Sequence, residues 1–349
     1  MARSGILYGS TGTFKTTAIA HLARWIARKT GKSTLLLSSD GGGWEPCREE
    51  VLAGMIIPYH IEPGTIPLPQ IRLCSKGYWP ENPDEGDISK VNFVPVDWTK
   101  IGGIAVEGIT SIGTMLMRHL ADKNIRTGEE GTSRFTQPIR VNGDIQQESF
   151  AGSSKGHYGF TQNQLYSLVT NFQSLPVEYV LFTGHEKKFK EDGTTMMQYG
   201  ISVPGQALTP LVPTWFGDCI HAQDYRVPVK LKVPSMTNPG EMVEEDTVEI
   251  RARYYFVKHP DPDTGLIFEA KPRVTHSKVD ELKRVFPGGF FVPTTKHGFD
   301  LYLDAVDKLA GDAAASDELK GWRDKMDSKL GRGKAAPAPA PVTEITTAR

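Results

Sequence analysis

The stretch Gly9-Ser10-Thr11-Gly12-Thr13-Phe14-Lys15-Thr16-Thr17 decides how the rest of the chain is read. It stands between an apolar run, Ile6-Leu7-Tyr8, and a segment with Ala18, Ile19, Leu22, Ala23 and Ile26 at helical spacing. Strand, glycine loop and helix in that order approximate the pattern G-x-x-x-x-G-K-S/T. Glycines let a backbone turn tightly enough for successive N–H groups to converge on phosphate oxygens. Lys15 brings a positive charge to the β- and γ-phosphates, the Thr16 hydroxyl suits Mg²⁺, and the helix start adds its positive end. Residues Gly9, Ser10, Thr11, Gly12, Thr13, Phe14, Lys15, Thr16 and Thr17 are therefore the candidate nucleotide-binding set. Phe14 departs from the pattern, which expects glycine just before the lysine. Phenylalanine keeps the N–H that a phosphate needs, without glycine's conformational freedom. The rival reading is a Gly/Thr-rich turn that merely precedes a helix.

Working outward, residues 17–29 read as that helix, with Gly31 as its stop. The run Ser33-Thr34-Leu35-Leu36-Leu37-Ser38 is long enough for a buried parallel strand. Together they make one βαβ unit. Residues 101–106 are the next core strand, 109–123 and 162–173 are helices, and 177–183 is a further apolar strand. A hairpin should follow it, turning near Asp192-Gly193. Residues 58–97, rich in Pro and Gly, read as an insertion of short strands and loops. Residues 128–158 lack periodicity and read as a mobile surface loop. From 227 the pattern turns to β-type alternation, with a turn at Asp263-Thr264-Gly265 and short helices near 278–285 and 299–309. The layout expected is an α/β core over 1–226, a β-rich appendage over 227–310, a helical or linker segment over 311–334, and a disordered Pro/Ala-rich tail over 335–349.

In a doubly wound sheet, ligands lie beyond the C-terminal ends of the strands. Three runs end in suggestive residues: Asp40 after Leu35–Leu37, Glu107 after residues 101–106, and His185 after residues 177–183. Asp40 is the candidate for polarising an attacking water, Glu107 for holding Mg²⁺ through its water shell, and His185 for sensing the γ-phosphate. Each has a plain alternative. Asp40 can cap a turn, Glu107 can be a helix N-terminal acid, and His185 can be a satisfied loop histidine.

Lys plus Arg (40) nearly balance Asp plus Glu (41), so net charge gives no evidence for nucleic-acid binding. The three cysteines, Cys47, Cys74 and Cys219, are far apart and define neither a disulfide framework nor a zinc site. No run approaches a membrane span, and the N-terminal residues lack a leader layout, which implies a cytoplasmic protein.

The segments YGSTGTFKTT (8–17), LLLSSDGGG (35–43), IAVEGITSI (104–112), YVLFTGHEKK (179–188) and VPGQALTPLVPTWFGDCIH (203–221) together resemble the RecA-like P-loop ATPases. The likeness is greatest to the phage-encoded group described as AAA-domain or RecA-like nucleotide-binding proteins. It covers roughly residues 5–224 and implies an α/β RecA-like core carrying a β-rich C-terminal addition, with ATP and Mg²⁺ as ligands. The family's Asp-x-Glu-Gly-Gly, with glutamate as catalytic base, is matched here by Ser38, Ser39 and Asp40. Its Walker-B aspartate is matched by Glu107. These exchanges and Phe14 imply slow turnover. Some members act on single-stranded DNA in recombination, which implies a DNA partner and a homo-oligomer. Arg134, Arg140 and Lys155 are then the candidate DNA contacts, and Lys187 and Lys188 candidate cations reaching a neighbouring subunit's γ-phosphate. An ordinary polar loop and a solvated lysine pair are the bland readings of those two groups. A helicase-loading or DNA-packaging motor, or a non-catalytic nucleotide-binding module, are the rival functions.

Overall fold

The computed structural model describes residues 2–39, 44–61, 67–83, 90–122, 132–141, 144–153, 156–190, 197–204, 208–234, 242–274, 276–294 and 296–314. The first half runs β1 (Arg3–Gly9), α1 (Lys15–Thr30), β2 (Ser33–Ser38), α2 (Arg48–Leu52), β3 (Ile56–His60), α3 (Pro67–Ser75), β4 (Tyr78–Pro80), β5 (Asn92–Pro95), β6 (Ile101–Glu107) and α4 (Ile109–Asp122). The second half runs β7 (Thr132–Val141), β8 (Asp144–Ser153), α5 (Gly156–Ser174), β9 (Tyr179–Lys190), β10 (Met197–Ile201), β11 (Asp218–Pro234), β12 (Met242–Tyr255), β13 (His259–Pro260), β14 (Ile267–Phe268), α6 (His276–Val285), β15 (Phe290–Phe291) and α7 (Phe299–Ala314).

The core sheet has the order β3-β2-β6-β9-β1-β11, and every one of these pairings is parallel. Its strands are apolar on both faces, as a parallel sheet covered on both sides requires. Successive residues of one strand enter opposite cores. Leu35, Leu37, Ile6, Tyr8, Ile104 and Val106 join one cluster, while Leu36, Leu7 and Ala105 join the other. Helices α3, α4 and α5 cover the first face through Ile71, Ile112, Leu116, Leu165 and Phe172. Helices α1 and α7 cover the second through Ile19, Leu22, Ile26, Tyr302, Leu303 and Val306. This is the α/β architecture the sequence predicts, with a strand-rich C-terminal region.

Helix α1 forms because Ala18, Ile19, Leu22, Ala23 and Ile26 make one buried stripe. It stops at Gly31, whose φ of 70° is the left-handed conformation that a Cβ disfavours, and whose N–H bonds to the Ala27 carbonyl. At the middle of the helix His21 is fully buried and satisfied. Its Nε2–H donates to the Thr294 carbonyl at 3.0 Å, and its Nδ1 accepts from the Phe299 N–H at 3.3 Å. Trp25 adds an Nε1–H bond of 2.9 Å to Asp304 on α7.

Several expectations need correction. Residues 132–141 and 144–153, within the stretch read as a loop, form the antiparallel pair β7–β8 with Thr132 opposite Ser153, and α5 starts at Gly156 rather than at 162. Pro138 and the polar residues between Phe135, Ile139 and Val141 break the alternation that marks a strand. Residues 58–60, assigned to an insertion, are the end of edge strand β3, and α3 lies in the same stretch. Strand β9 does not end at 183; it runs on through His185 to Lys190 and pairs there with β10. The 226/227 boundary falls inside β11, a single strand that pairs with β1 at one end and with β12 along the rest. The C-terminal addition is thus an extension of the core sheet. The alternation in β12 is also less buried than it reads, with Val248 and Ile250 more than half exposed. Residues 311–314 close α7, while the rest of the expected linker and the tail lie outside the described residues.

Candidate functional site

The glycine loop leaves β1 at the C-terminal edge of the parallel sheet. Gly9 stands opposite Ala222 on one side and His185 on the other. A Cβ on Gly9 would lie 2.1 Å from the Ala222 carbonyl oxygen, so only glycine lets the loop leave the sheet here. Gly12 turns the chain with φ of 83° and open space around it. Thr13 is buried and donates its hydroxyl to the Ser10 carbonyl at 2.8 Å, closing the loop on itself. Lys15 Nζ lies inside that loop, 2.5 Å from the Ser10 carbonyl, 3.2 Å from that of Gly9 and 3.3 Å from Thr13 Oγ1. The ammonium group is thus held at the centre of the backbone turn by oxygen acceptors.

Phe14 adopts φ 59° and ψ 28°, the one positive φ outside glycine among the described residues. The missing glycine's conformation is therefore kept although its residue is not, at a local cost of about 1–2 kcal/mol. The Tyr254 hydroxyl donates to the Phe14 carbonyl at 2.5 Å and ties the loop to β12. The ring does not enter the loop; it stands 44% exposed.

Thr16 opens α1 and aims its hydroxyl across the sheet edge. Its Oγ1 donates to Glu107 Oε1 at 2.5 Å. The other carboxylate oxygen accepts from Ser38 Oγ at 2.9 Å. Ser38 and Glu107 are register partners on β2 and β6, which explains the contact. Ser39 donates to the Glu107 and Gly108 carbonyls at 3.1 and 3.2 Å, bracing the strand end from behind. The Cys47 thiol, pushed up to about 12 by burial and then by the nearby Glu107 and Glu50 charges, donates to the Thr16 carbonyl at 3.2 Å. All three cysteines are free and buried.

The structure thus brings together the loop, Lys15, Thr16 and Glu107. His185 sits beside Gly9 in register, its N–H bonded to Thr110 Oγ1 at 2.9 Å and its carbonyl to Ser202 N–H at 2.7 Å. Lys187 and Lys188 lie further along β9. Lys187 Nζ donates to the Val203 carbonyl at 2.6 Å, and partial burial lowers its pKa. Lys188 is exposed, over the Tyr199 ring at 5.3 Å. Arg134 and Arg140 lie on β7, opposite Ala151 and Ile145 and away from the core sheet. Asp40 and Lys155 lie outside the described residues.

Sequence reasoning missed a second constellation at the same edge. His221, opposite Tyr8 in register, donates from Nε2 to Glu186 Oε2 at 2.8 Å. Its Nδ1 accepts from His259 Nε2 at 3.0 Å. Rings stack around the pair, with Phe268 3.7 Å from His221 and Tyr255 3.5 Å from His259. A cavity of about 630 Å³ opens beside it, edged by Ser10, Asp224, Asp261 and Asp263. The only hint in the sequence was histidine in otherwise apolar strand ends, which contact order across some 40 residues hides.

A glycine loop with a lysine at its centre, on the C-terminal edge of a mostly parallel sheet flanked by helices, defines the class as an α/β protein. No protein-family model matches the sequence. No curated protein is similar to it either. Among solved structures the chain is similar to the KaiC-like protein PH0186 from the hyperthermophilic archaeon Pyrococcus horikoshii OT3. That likeness has a TM-score of 0.35 and 11% identity, and covers 76% of this chain and 89% of that one.

Proposed function

We propose that this chain binds ATP with Mg²⁺ at the loop 9–17 and hydrolyses it slowly. The observation that carries the reading is the Thr16–Glu107–Ser38 cluster set beside a lysine caged by its own loop. A serine or threonine hydroxyl and a carboxylate are hard oxygen donors, and Mg²⁺ takes such ligands while keeping several waters. Thr16 and Glu107 fit that ion, which would supply charge neutralisation next to the phosphates. Lys15 would balance the β/γ-phosphate charge, and the amides from Gly12 to Thr17 would cradle the oxygens. His185, in register with Gly9, is the proposed sensor of the γ-phosphate. Asp40 is the proposed base. Positioning and electrostatics carry most of phosphoryl transfer, so such a set suffices in kind.

The finer reading is ATP turnover coupled to single-stranded DNA in recombination or replication, in a homo-oligomer, as in the phage-encoded group the sequence resembles. Arg134, Arg140 and Lys155 are the proposed DNA contacts, and exposed Lys188 is better placed than Lys187 to reach a neighbouring subunit. The first test is equilibrium ATP binding by Lys15→Ala. Loss of binding is expected, and unchanged binding would sink the site assignment. Turnover with and without single-stranded DNA then tests the coupling. Stimulation by duplex DNA or a protein partner instead would mean a motor or loader. Binding with no turnover under any condition would mean a non-catalytic module.

A further inference from the structure

Phe14 has one property that phosphate binding does not need. Its backbone keeps the left-handed conformation of the loop, tied to β12 by Tyr254, but its ring stands 44% exposed. The ring lines a cavity of about 450 Å³ together with Thr17, Glu249, Arg251, Pro293 and Thr294. One wall of that cavity is β12. Residues 250, 252 and 254 alternate onto the face toward α1. Tyr254 is buried and bonds the loop, Ala252 is buried and small, and Ile250 is 53% exposed. The small residue leaves room directly over the loop. The opposite wall, residues 292–294, is tied to α1 by the His21 bond to Thr294. Both walls are thus fixed relative to the phosphate loop.

A nucleotide whose phosphates lie in the loop must send its nucleoside out of one side. Of the described cavities, one borders the loop at Ser10 and another at Phe14. The one at Ser10 is mostly polar, edged by Glu186, Asp224, Asp261, Asp263 and Arg226, and its Tyr199 and Phe268 rings are already stacked on one another at 4.2 Å. The one at Phe14 offers an aromatic face, apolar walls and a single ion pair, Arg251 to Glu249 at 2.8 Å. Aromatic faces bind bases by stacking, whatever the base's hydrogen-bonding edge.

We propose that the Phe14 cavity holds the nucleoside of the bound nucleotide, with a purine base lying on the Phe14 ring. This rests on the phosphate reading of the loop. It gives the glycine-to-phenylalanine exchange a role: the loop keeps the glycine backbone and gains a stacking platform. The larger face of a purine overlaps the ring more than a pyrimidine does, so selectivity follows from overlap.

The test compares affinities for Mg²⁺ complexes of ATP, UTP and inorganic tripolyphosphate in the native chain, Phe14→Leu and Phe14→Gly. The native chain should bind ATP more tightly than UTP. Both variants should lose about tenfold in ATP affinity, the loss of one base–aromatic stack. UTP should lose less and tripolyphosphate almost nothing. If ATP and tripolyphosphate weaken in step, or ATP is unaffected, the proposal is overturned. Failure of the phosphate reading looks different: neither ATP nor tripolyphosphate would then bind the native chain. Photolabelling of the native chain with an azido-purine triphosphate gives a result free of folding effects. Label on residues 14–17, 249–252 or 292–294 supports the cavity, whereas label on residues 261–263 refutes it.

Discussion

Glu107, 3% exposed, accepts hydrogen bonds from the hydroxyls of Thr16 and Ser38. Each hydroxyl comes from a different element, so the residue depends on the sheet edge being assembled. Ser38→Ala removes one of these donors. A hydrogen bond lost at a buried polar group costs about 1–3 kcal/mol. The expected result is a lower denaturant midpoint with an unchanged slope, and a Mg²⁺ requirement shifted to higher concentration in nucleotide binding. A midpoint equal to that of the native chain would mean water replaces the serine freely. At this scale the sequence was partly legible. That Lys15, Thr16 and Glu107 lie together could be read from spacing and from strand ends. Ser38 could not be weighed, because its use depends on the β2–β6 register. Phe14 looked like damage to the motif, since a side chain's name does not reveal the backbone angle it accepts.

At the scale of elements, α1 comes close to β6 because β6 carries Gly102 and Gly103 under it. A Cβ on Gly102 would lie 2.9 Å from Ile26 Cγ2 and 3.0 Å from Thr30 Oγ1. One on Gly103 would lie 2.9 Å from Thr34 Oγ1 and 3.0 Å from Ile26 Cγ1. These glycines have no positive φ, so what matters at them is close approach rather than conformational freedom. Gly103→Val should therefore push α1 off the sheet and destabilise the fold by about 1–3 kcal/mol or more, the usual cost of overpacking. Thermal unfolding would show it, and because α1 begins at Lys15, nucleotide affinity should fall with it. A variant as stable as the native chain would show that the helix shifts without strain. Elements with strong periodicity, such as α1, β2 and β6, were legible because burial on one or both faces dictates their pattern. The β7–β8 hairpin was not, because its β-forming residues, among them Phe135, Ile139 and Val141, are interrupted by Pro138 and by polar residues that break any sustained alternation. The hairpin after residue 183 was legible, and β9 and β10 pair antiparallel as expected; what the sequence did not give was that its first strand continues the core strand without a break at Gly184.

At the scale of the whole molecule, the sheet edge joins the loop on β1 to β9, β11 and β13 through Glu186, His221 and His259. Burial lowers the pKa of His221, an effect that the Glu186 bond opposes only in part. His259 is lowered from 6.5 to about 4, by burial first and then by His221, with the Pro260 carbonyl and Asp261 acting the other way. His21, between α1 and α7, is lowered by burial as well. For each of these groups the unfolded chain binds a proton more readily than the folded one. Stability from this source is complete above pH 6.5, falls as pH drops toward 4, and levels once the folded state also takes the proton. The lowered carboxylates Asp261 and Asp300 act in the same direction but only below their ordinary value of 3.8. Between pH 6.5 and 4 the histidines therefore dominate. Thermal midpoints should decline across that window in the native chain, and less steeply in His259→Gln, which keeps a neutral polar group beside His221. An identical slope in the two proteins would show that His259 takes its proton equally readily in the folded and the unfolded chain. Since Glu186 and Ser10 edge the same cavity, a decline of nucleotide affinity over that same window, again flattened by His259→Gln, would tie the histidine pair to the loop. An affinity independent of pH there would confine the pair to holding β11 and β13 together.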